Sequence, residues 1–386
     1  MSEQRVFVYV QHLLGIGHLK RAATLARALA AQGLQVTLAS GGAVVPGMTV
    51  DKVKFVQLPP ASAADLSFKS LLDEAGRAVD DAWKRQRSAA LLDAWRAADP
   101  QVLVLELFPF GRRQMRFELL PLLELASSAP RRPVIACSVR DILGGAKSAE
   151  RQQETLDLVQ RYFDGVLVHG DPSVVAFDRS FPLAPRIAQK LHYTGYVLDE
   201  PAAHASRDGA NEVIVSAGGG AVGERLLEAA IGAKPLSALR NLTWRVLAGG
   251  NLPPPVYERL SRLAQHAGGV VLEKSRPDFT TLLANCALSI SQAGYNTLLE
   301  TVQAGARALA VPFAGGAETE QALRAHCFAE RGLLEVLEES ALTPQALAAA
   351  VDRAAARPRP ARSGIDLGGA RNSAALIARW AAQGSA

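Results

Sequence analysis

The sequence predicts an α/β protein made of two Rossmann-like domains in succession, each a parallel sheet flanked by helices. Three observations point there. Short apolar, β-branched runs, RVFVYV (5–10), LQVTLAS (34–40), VLVLEL (102–107), PVIACSV (133–139) and GVLVHG (165–170), alternate with helical or loop stretches, the pattern of β-α-β units. A second series, NEVIVSA (211–217), LTWRVLAG, GVVLEK, ALSISQ and ARALAVPF, restarts the alternation after a stretch near 195–212 that carries Gly, Pro and Ser without periodicity and reads as a hinge. The length, 386 residues, exceeds what one core usually organises, so domains over 1–198 and 199–386 are expected.

The elements between the strands follow the same rules. LKRAATLARALAAQG (19–33) is a helix closed by Gly33, the residue type that takes the left-handed conformation after a last turn. DKVKFVQL (51–58) reads as a further strand, and residues 66–98, rich in Ala, Leu and charge, read as helical. The strand ARALAVPF runs to Pro312 and Phe313, and a helix begins near Gln321. Beyond Pro344 come an Ala-rich helix, the turn-rich ARPRPARSGIDLGG, and a last helix at about 370–384 that can pack back on the first domain.

Composition narrows the class. Apolar residues make up 49% and charged residues 20%, as in a globular chain. The 42 basic and 37 acidic residues give a net charge of +5, interleaved with no dense Lys/Arg stripe. No nucleic-acid partner is expected from that, whereas an anionic substrate or membrane surface fits a mild excess. Cys137, Cys286 and Cys327 are widely spaced, which argues against both zinc and a disulfide framework. The amino terminus reads as a first strand rather than a signal peptide, and no apolar run reaches the roughly 18 residues of a spanning helix, so a cytoplasmic protein is expected. FPFGRRQMRFELLPLLE (108–124) mixes Phe108, Phe110 and Phe117 with Arg112, Arg113 and Arg116. It reads either as an ordinary helix with a buried face or as a surface resting peripherally on anionic headgroups at the inner face of a membrane.

Polar residues gather where strands hand over to helices. In GIGHLKR, His18 lies at the start of a helix, whose positive end disfavours imidazolium and keeps the ring neutral, competent as a general base. Glu106 closes the strand VLVLEL and can orient that imidazole or compete as the base. Arg140 and Asp141 end the next strand, and His169 and Asp171 the one after. In the second half, GGGAVG (218–223) has the form of a dinucleotide fingerprint, but no acid occurs from Ala229 through Tyr257 to take an adenosine ribose. That disfavours a nicotinamide or flavin cofactor and leaves Gly219 and Gly220 to approach a phosphate, or simply to make a tight corner. In SQAGYNTLLETVQAG, Asn296 can cap a helix whose first-turn N–H groups would face a diphosphate, with Glu300 one turn on able to accept from a ribose diol. Glu318, Glu320 and Gln321 sit at another such turn, where paired oxygens and amides suit sugar hydroxyls. Each residue taken singly is also an ordinary cap or solvated charge.

Together these segments resemble the GT-B glycosyltransferases, close to the enzymes that add N-acetylglucosamine to lipid I in peptidoglycan synthesis and to their predicted-glycosyltransferase cousins. The resemblance covers nearly the whole chain. GIGHLKRAATLARALAAQG is similar to the family's glycine-rich first loop, including Gly17 and His18. YTGYV (193–197) is similar to the segment before its hinge, and SQAGYNTLLETVQAGARALAVPFAGGAETEQ to its donor-site signature. The resemblance implies two domains facing a central cleft, with Gly294, Asn296 and Thr297 at the diphosphate, Glu300 at the ribose, Glu320 and Gln321 at the hexose, and Phe279 along the base. It places His18 near the acceptor, with Gly17, Arg140 and His169 on the same side. Two departures, a single glycine before His18 and SVRDIL in place of the acceptor loop, argue against lipid I as acceptor.

The expectation is an inverting glycosyltransferase moving a sugar from a nucleotide-sugar, a UDP-hexose or UDP-N-acetylhexosamine, to a hydroxyl acceptor that is lipid- or glycan-linked. His18, Glu106 or Asp141 would be the base. No cofactor is expected, and no metal, because the chain contains no D-x-D pair to hold one against a diphosphate. The alternatives are a nucleotide-sugar hydrolase of the nonulosonic acid type and a non-catalytic nucleotide-sugar-binding protein. Oligomeric state is not readable from the sequence.

Overall fold

The structure, a computed structural model, describes residues 4–13, 15–63, 70–145, 148–199, 206–218, 223–250, 252–315, 319–360 and 364–383. The chain divides into two compact units. One comprises Met1–Leu143, Lys147–Asp199 and Asp366–Ala386, and the other Gly144–Ala146 and Glu200–Ile365.

In chain order the first unit contains β1 (Arg5–Val10), α1 (Gly17–Ala31), β2 (Gln35–Ser40), β3 (Val53–Gln57), β4 (Ser62–Ala63), β5 (Leu71–Leu72), α2 (Asp81–Ala98), β6 (Val102–Glu106), α3 (Arg116–Ser127), β7 (Val134–Arg140), α4 (Ala149–Tyr162), β8 (Gly165–His169) and β9 (Leu191–Tyr193). Seven of these strands form a sheet in the order β3-β2-β1-β6-β7-β8-β9, and every pairing in it is parallel. All its strands therefore deliver their carboxyl ends to one edge, which is why His18, Glu106, Arg140 and His169 share that edge.

The second unit carries β10 (Glu212–Ser216), α5 (Glu224–Ala233), β11 (Thr243–Leu247), α6 (Pro254–Ala267), β12 (Val270–Glu273), α7 (Phe279–Asn285), β13 (Leu288–Ser291), α8 (Tyr295–Gln303), β14 (Ala308–Ala310), α9 (Glu320–Glu330), β15 (Glu335–Val336) and α10 (Pro344–Ala356). Its six-stranded sheet, β12-β11-β10-β13-β14-β15, is again wholly parallel. The α/β class and the paired Rossmann-like halves read from the sequence are what the structure contains.

A last helix, α11 (Gly369–Gln383), returns to the first unit. Ala374, Ile377 and Ala381 are fully buried in the cluster that α1 forms on the sheet with Val6, Val8 and Leu167. Polar contacts lock its entry. Asp171 Oδ2 accepts the Asp366 N–H (3.0 Å), Asn372 Nδ2 donates to the Thr194 carbonyl (2.9 Å), and Tyr196 N–H donates to the Asp366 carbonyl (2.8 Å).

Two expectations change, and one pair of alternatives narrows. The helix assigned to 66–98 begins only at Asp81, with Asp80 as its cap accepting from Trp83 N–H (2.7 Å). Before it, Leu71–Leu72 pair with Ser62–Ala63, and Asp73 accepts the Ala75 and Arg77 N–H groups (both 2.9 Å), so a side chain competes with the helix for the backbone. Residues 64–69 lie outside the described part. The strand ARALAVPF shrinks to Ala308–Ala310 because Pro312 cannot donate to a ladder. Of the two readings of 108–124, the buried face holds for its first two aromatic residues, while Arg113 stays exposed. Phe108 and Phe110 are 1% exposed, Phe110 stacks edge-on against Phe177 and Phe181, and Arg113 and Arg116 both pair with Glu154. Among the described residues no helix is long and apolar enough to cross a membrane.

The packing of α11 gives a direct test. Ile377→Ala should destabilise the first unit by about 3 kcal/mol, the cost of a cavity in a closely packed interface, read as an earlier denaturant transition. A loss under about 1 kcal/mol would show that the helix is not part of that core.

Candidate functional site

In the first unit, α1 begins at Gly17 immediately after the loop that follows β1, and its apolar residues Leu19, Ala22, Ala23, Leu25, Ala26 and Leu29 are buried against the sheet. That register turns His18 and Arg21, three residues apart and so on one helix face, toward the end of β6. There Glu106, 1% exposed, accepts at Oε1 from Arg21 Nη2 and lies 2.8 Å from His18 Nδ1. The carboxylate can only accept, so Nδ1 carries the ring proton and donates. Nε2 is then the lone-pair nitrogen left to meet a substrate, and 19% of the side chain stays open to solvent.

Electrostatics fit that tautomer. Burial pushes the His18 pKa down to about 3, with Arg112 and Arg140 adding to the effect and Glu106 opposing it. Burial alone would raise Glu106, but His18 and Arg21 override it and hold the carboxyl at about 2. At neutral pH the pair is a carboxylate and a neutral imidazole. Arg112, left-handed at φ 58°, is anchored beside them by its Nε donating to the Gln11 carbonyl (2.7 Å). Arg21 was not expected from the sequence. The signal was present in its i+3 spacing from His18.

Two other predicted members are fully buried. Asp141 is fully buried and its Oδ1 accepts the Ile142 N–H (2.9 Å). His169 is fully buried between Ser138 Oγ (2.7 Å from Nε2) and Thr194 Oγ1 (2.9 Å from Nδ1). With both nitrogens occupied it braces the sheet instead of meeting an acceptor. Arg140 and Gly17 stand half-buried at the same edge as His18.

In the second unit, the loops after β10, β13 and β14 share an edge. Gly219, Gly220 and Glu318 lie outside the described residues. Asn296 does not cap α8. The cap is Gly294, with no side-chain hydrogen bond, and Asn296 and Thr297 lie within the first turn, half-buried. The early start follows from Ala293, held at φ 60° with its N–H donating to Ser291 Oγ (3.4 Å), a left-handed conformation that costs roughly 1–2 kcal/mol in a residue with a Cβ. A Cβ added to Gly294 would meet nothing within 4 Å, so no protein atom demands a glycine there. Glu300 falls in the second turn of α8, one turn on as expected, also half-buried.

Phe279, the first residue of α7, packs partly buried on the cluster of Ile214, Leu247, Leu282, Cys286 and Ala306. Glu320 opens α9 and is 4% exposed, with Oε1 accepting from Arg324 Nη2 (2.8 Å). Arg324, fully buried, also lies 5.0 Å over the Tyr295 ring and so ties the starts of α8 and α9 together. Gln321 Oε1 accepts the Phe313 N–H (3.3 Å). Among the described residues no group of three His, Cys, Asp or Glu side chains is placed to hold a metal ion.

Residues 214–365 match the family described as Glycosyltransferase family 28 C-terminal domain, so the second unit with its three loops is the matched region. The chain is related to the GT-B glycosyltransferases. Over 176 residues it is 28% identical to the UDP-N-acetylglucosamine–N-acetylmuramyl-(pentapeptide) pyrophosphoryl-undecaprenol N-acetylglucosamine transferase of Paramagnetospirillum magneticum, a match covering 44% of this chain and 47% of that one. It thus spans about half the length of that relative. The crystal structure of Acinetobacter baumannii MurG superposes with a TM-score of 0.63 at 16% identity, covering 97% of this chain and 99% of that one. Phytolacca americana UGT2, complexed with UDP-2-fluoro-glucose and pterostilbene, superposes with a TM-score of 0.58 at 15% identity, covering 99% and 100%. Both share the GT-B fold.

The buried histidines set an acid limit. His18 and His169 are held at about 3, against about 6.5 in an unfolded chain, so below pH 6.5 the unfolded state takes up protons that the folded state refuses. Stability should be level above about pH 7 and fall as pH drops toward 4, by roughly tenfold in the folding constant per pH unit for each histidine. His169→Gln should remove about one proton from that slope. Denaturation midpoints that stay constant from pH 7 to 4.5 would contradict the assignment.

Proposed function

We propose that the protein is an inverting, metal-independent glycosyltransferase that moves a sugar from a UDP-hexose or UDP-N-acetylhexosamine to a hydroxyl acceptor. The observation that carries the catalytic half is the His18–Glu106 pair, a neutral imidazole whose proton is fixed on Nδ1 by a buried carboxylate. His18 Nε2 takes the proton of the acceptor hydroxyl as its oxygen attacks the anomeric carbon. The bond from that carbon to the phosphate oxygen breaks, and the nucleoside diphosphate leaves with the electron pair. Attack opposite the leaving group inverts the anomeric centre.

The donor half rests on the family 28 match and on α8. Its first-turn N–H groups, preceded by Gly294 and left without a side-chain cap, provide partial positive charge for a departing diphosphate. Glu300 accepts from the ribose diol, Glu320 and Gln321 contact the hexose, and Phe279 lines the base. The curated relative is named for a UDP-N-acetylglucosamine donor and a lipid-pyrophosphoryl acceptor, and UGT2 was solved with a UDP-sugar, which supports the choice of nucleotide. SVRDIL at the carboxyl end of β7 favours an acceptor other than lipid I.

A thermal-shift panel of nucleotide-sugars should single out a UDP-sugar. With that donor, His18→Ala is expected to lower kcat by about 10²–10⁴ while nucleotide affinity stays unchanged, and Glu106→Gln to lower kcat as well. Calorimetric titration of UDP into wild type and Glu300→Ala should show weaker binding in the variant. Equal affinities would take Glu300 out of the site, and turnover undiminished in His18→Ala would end the proposed base mechanism.

A further inference from the structure

Residues 311–315 leave β14 beside the turn at 292–294, because Ser291 and Ala310 are partners in the parallel register. Two successive N–H groups of this loop are held by side chains from later in the chain. Gln321 Oε1 accepts from Phe313 (3.3 Å), and Glu339 Oε2 accepts from Ala314 (2.7 Å). Glu339 is itself 8% exposed and lies in a helical turn, Glu339–Ala341, whose leading carbonyl accepts from Arg225 Nη2 (3.5 Å). The Phe313 ring lies against Gly315, where an added Cβ would come within 2.1 Å of it. The loop is therefore fixed on both its backbone and its aromatic side chain.

The hydrogen bonds dictate how Gln321 is oriented. A backbone N–H can only donate, so the amide must turn its oxygen to Phe313. Its Nε2 is the opposite end of the amide, and it brings two donors and no acceptor. Which way the amide turns depends on where the Phe313 N–H points, and that peptide is next to the one Glu339 holds by a charge-assisted bond.

We infer that Glu339 is a positioning residue for donor recognition: by anchoring Ala314 it sets the Phe313 N–H, which holds the Gln321 amide with Nε2 presented to oxygen atoms of the transferred sugar. The inference rests on the donor-site reading above and adds a substrate class to it. Hydroxyl, acyl or carboxylate oxygens on the sugar suit two outward donors. A protonated amino group at that position does not, since donors would meet donors.

The test uses the full chain with UDP, UDP-glucose, UDP-N-acetylglucosamine and UDP-glucosamine, titrated calorimetrically into wild type, Glu339→Ala, Glu339→Gln and Gln321→Ala. The quantity read is the affinity each sugar adds over UDP alone. Wild type should gain from glucose or N-acetylglucosamine and not from glucosamine. Glu339→Ala and Gln321→Ala should each lose about tenfold of that gain while UDP itself changes less than twofold. Glu339→Gln, whose amide oxygen still accepts the Ala314 N–H, should restore most of it. Glu339→Ala that keeps the full gain, or that weakens UDP and UDP-sugars alike, overturns the inference and leaves the donor site standing. Wild type that binds neither UDP nor any of the sugars overturns the donor-site reading and this inference with it.

Discussion

A carboxylate sealed at the end of a buried strand is tolerable only when cations or donors meet it, and Glu106 is such a group. Arg21 and His18 both come from α1, and α1 is oriented by the apolar residues it buries. The same packing that seats the helix on the sheet thus aims the arginine and the imidazole at one carboxylate oxygen. Arg21 balances the charge, which frees Glu106 to orient the His18 ring without having to protonate it. The geometry of this cluster is inherited from core packing, and a shift of α1 along its axis would break neutralisation and orientation together.

The second unit solves a different problem, keeping backbone N–H groups available. Ala293 takes a strained conformation so that α8 can begin at Tyr295, and Gly294 precedes it with open space in front. Strain of this size persists where surrounding contacts over-determine it. Here those contacts are the Ser291 hydroxyl and the Arg324 side chain, which joins Tyr295 at the start of α8 to Glu320 at the start of α9. Glu320 is consequently held by an arginine at the start of α9.

The two parallel sheets were legible because buried parallel strands are continuous apolar runs, and RVFVYV or VLVLEL can hardly be anything else. The strand-end polar residues were legible for the same reason, since a charge closing such a run lies at the sheet edge. Sequence spacing failed where the answer depended on a tertiary partner. Asp141 and His169 look like Glu106 in the sequence, but only the fold shows that the Ile142 N–H meets one and that Ser138 and Thr194 meet the other. The start of α8 was misplaced by two residues because no local propensity announces a left-handed alanine. Glu339 and Arg324 were missed outright, each lying in a stretch that reads as ordinary helix or turn. The short strands β9 and β15 carry too few residues for a period to show. Phe108 and Phe110 read as amphipathic partners of the arginines until Phe177 and Phe181 supplied them with a core.

Because α11 belongs to the unit formed by residues near the amino terminus, that unit is assembled from chain on both sides of the other one. During synthesis the second unit can finish while the first still lacks the helix that packs on α1 and β6. For the roughly 10–30 s in which residues 200–365 are made, an apolar strip of the earlier unit faces water or whatever chaperone is at hand. The order of completion is thus the reverse of the order of translation, and the amino-terminal sheet is the last part of the molecule to be sealed.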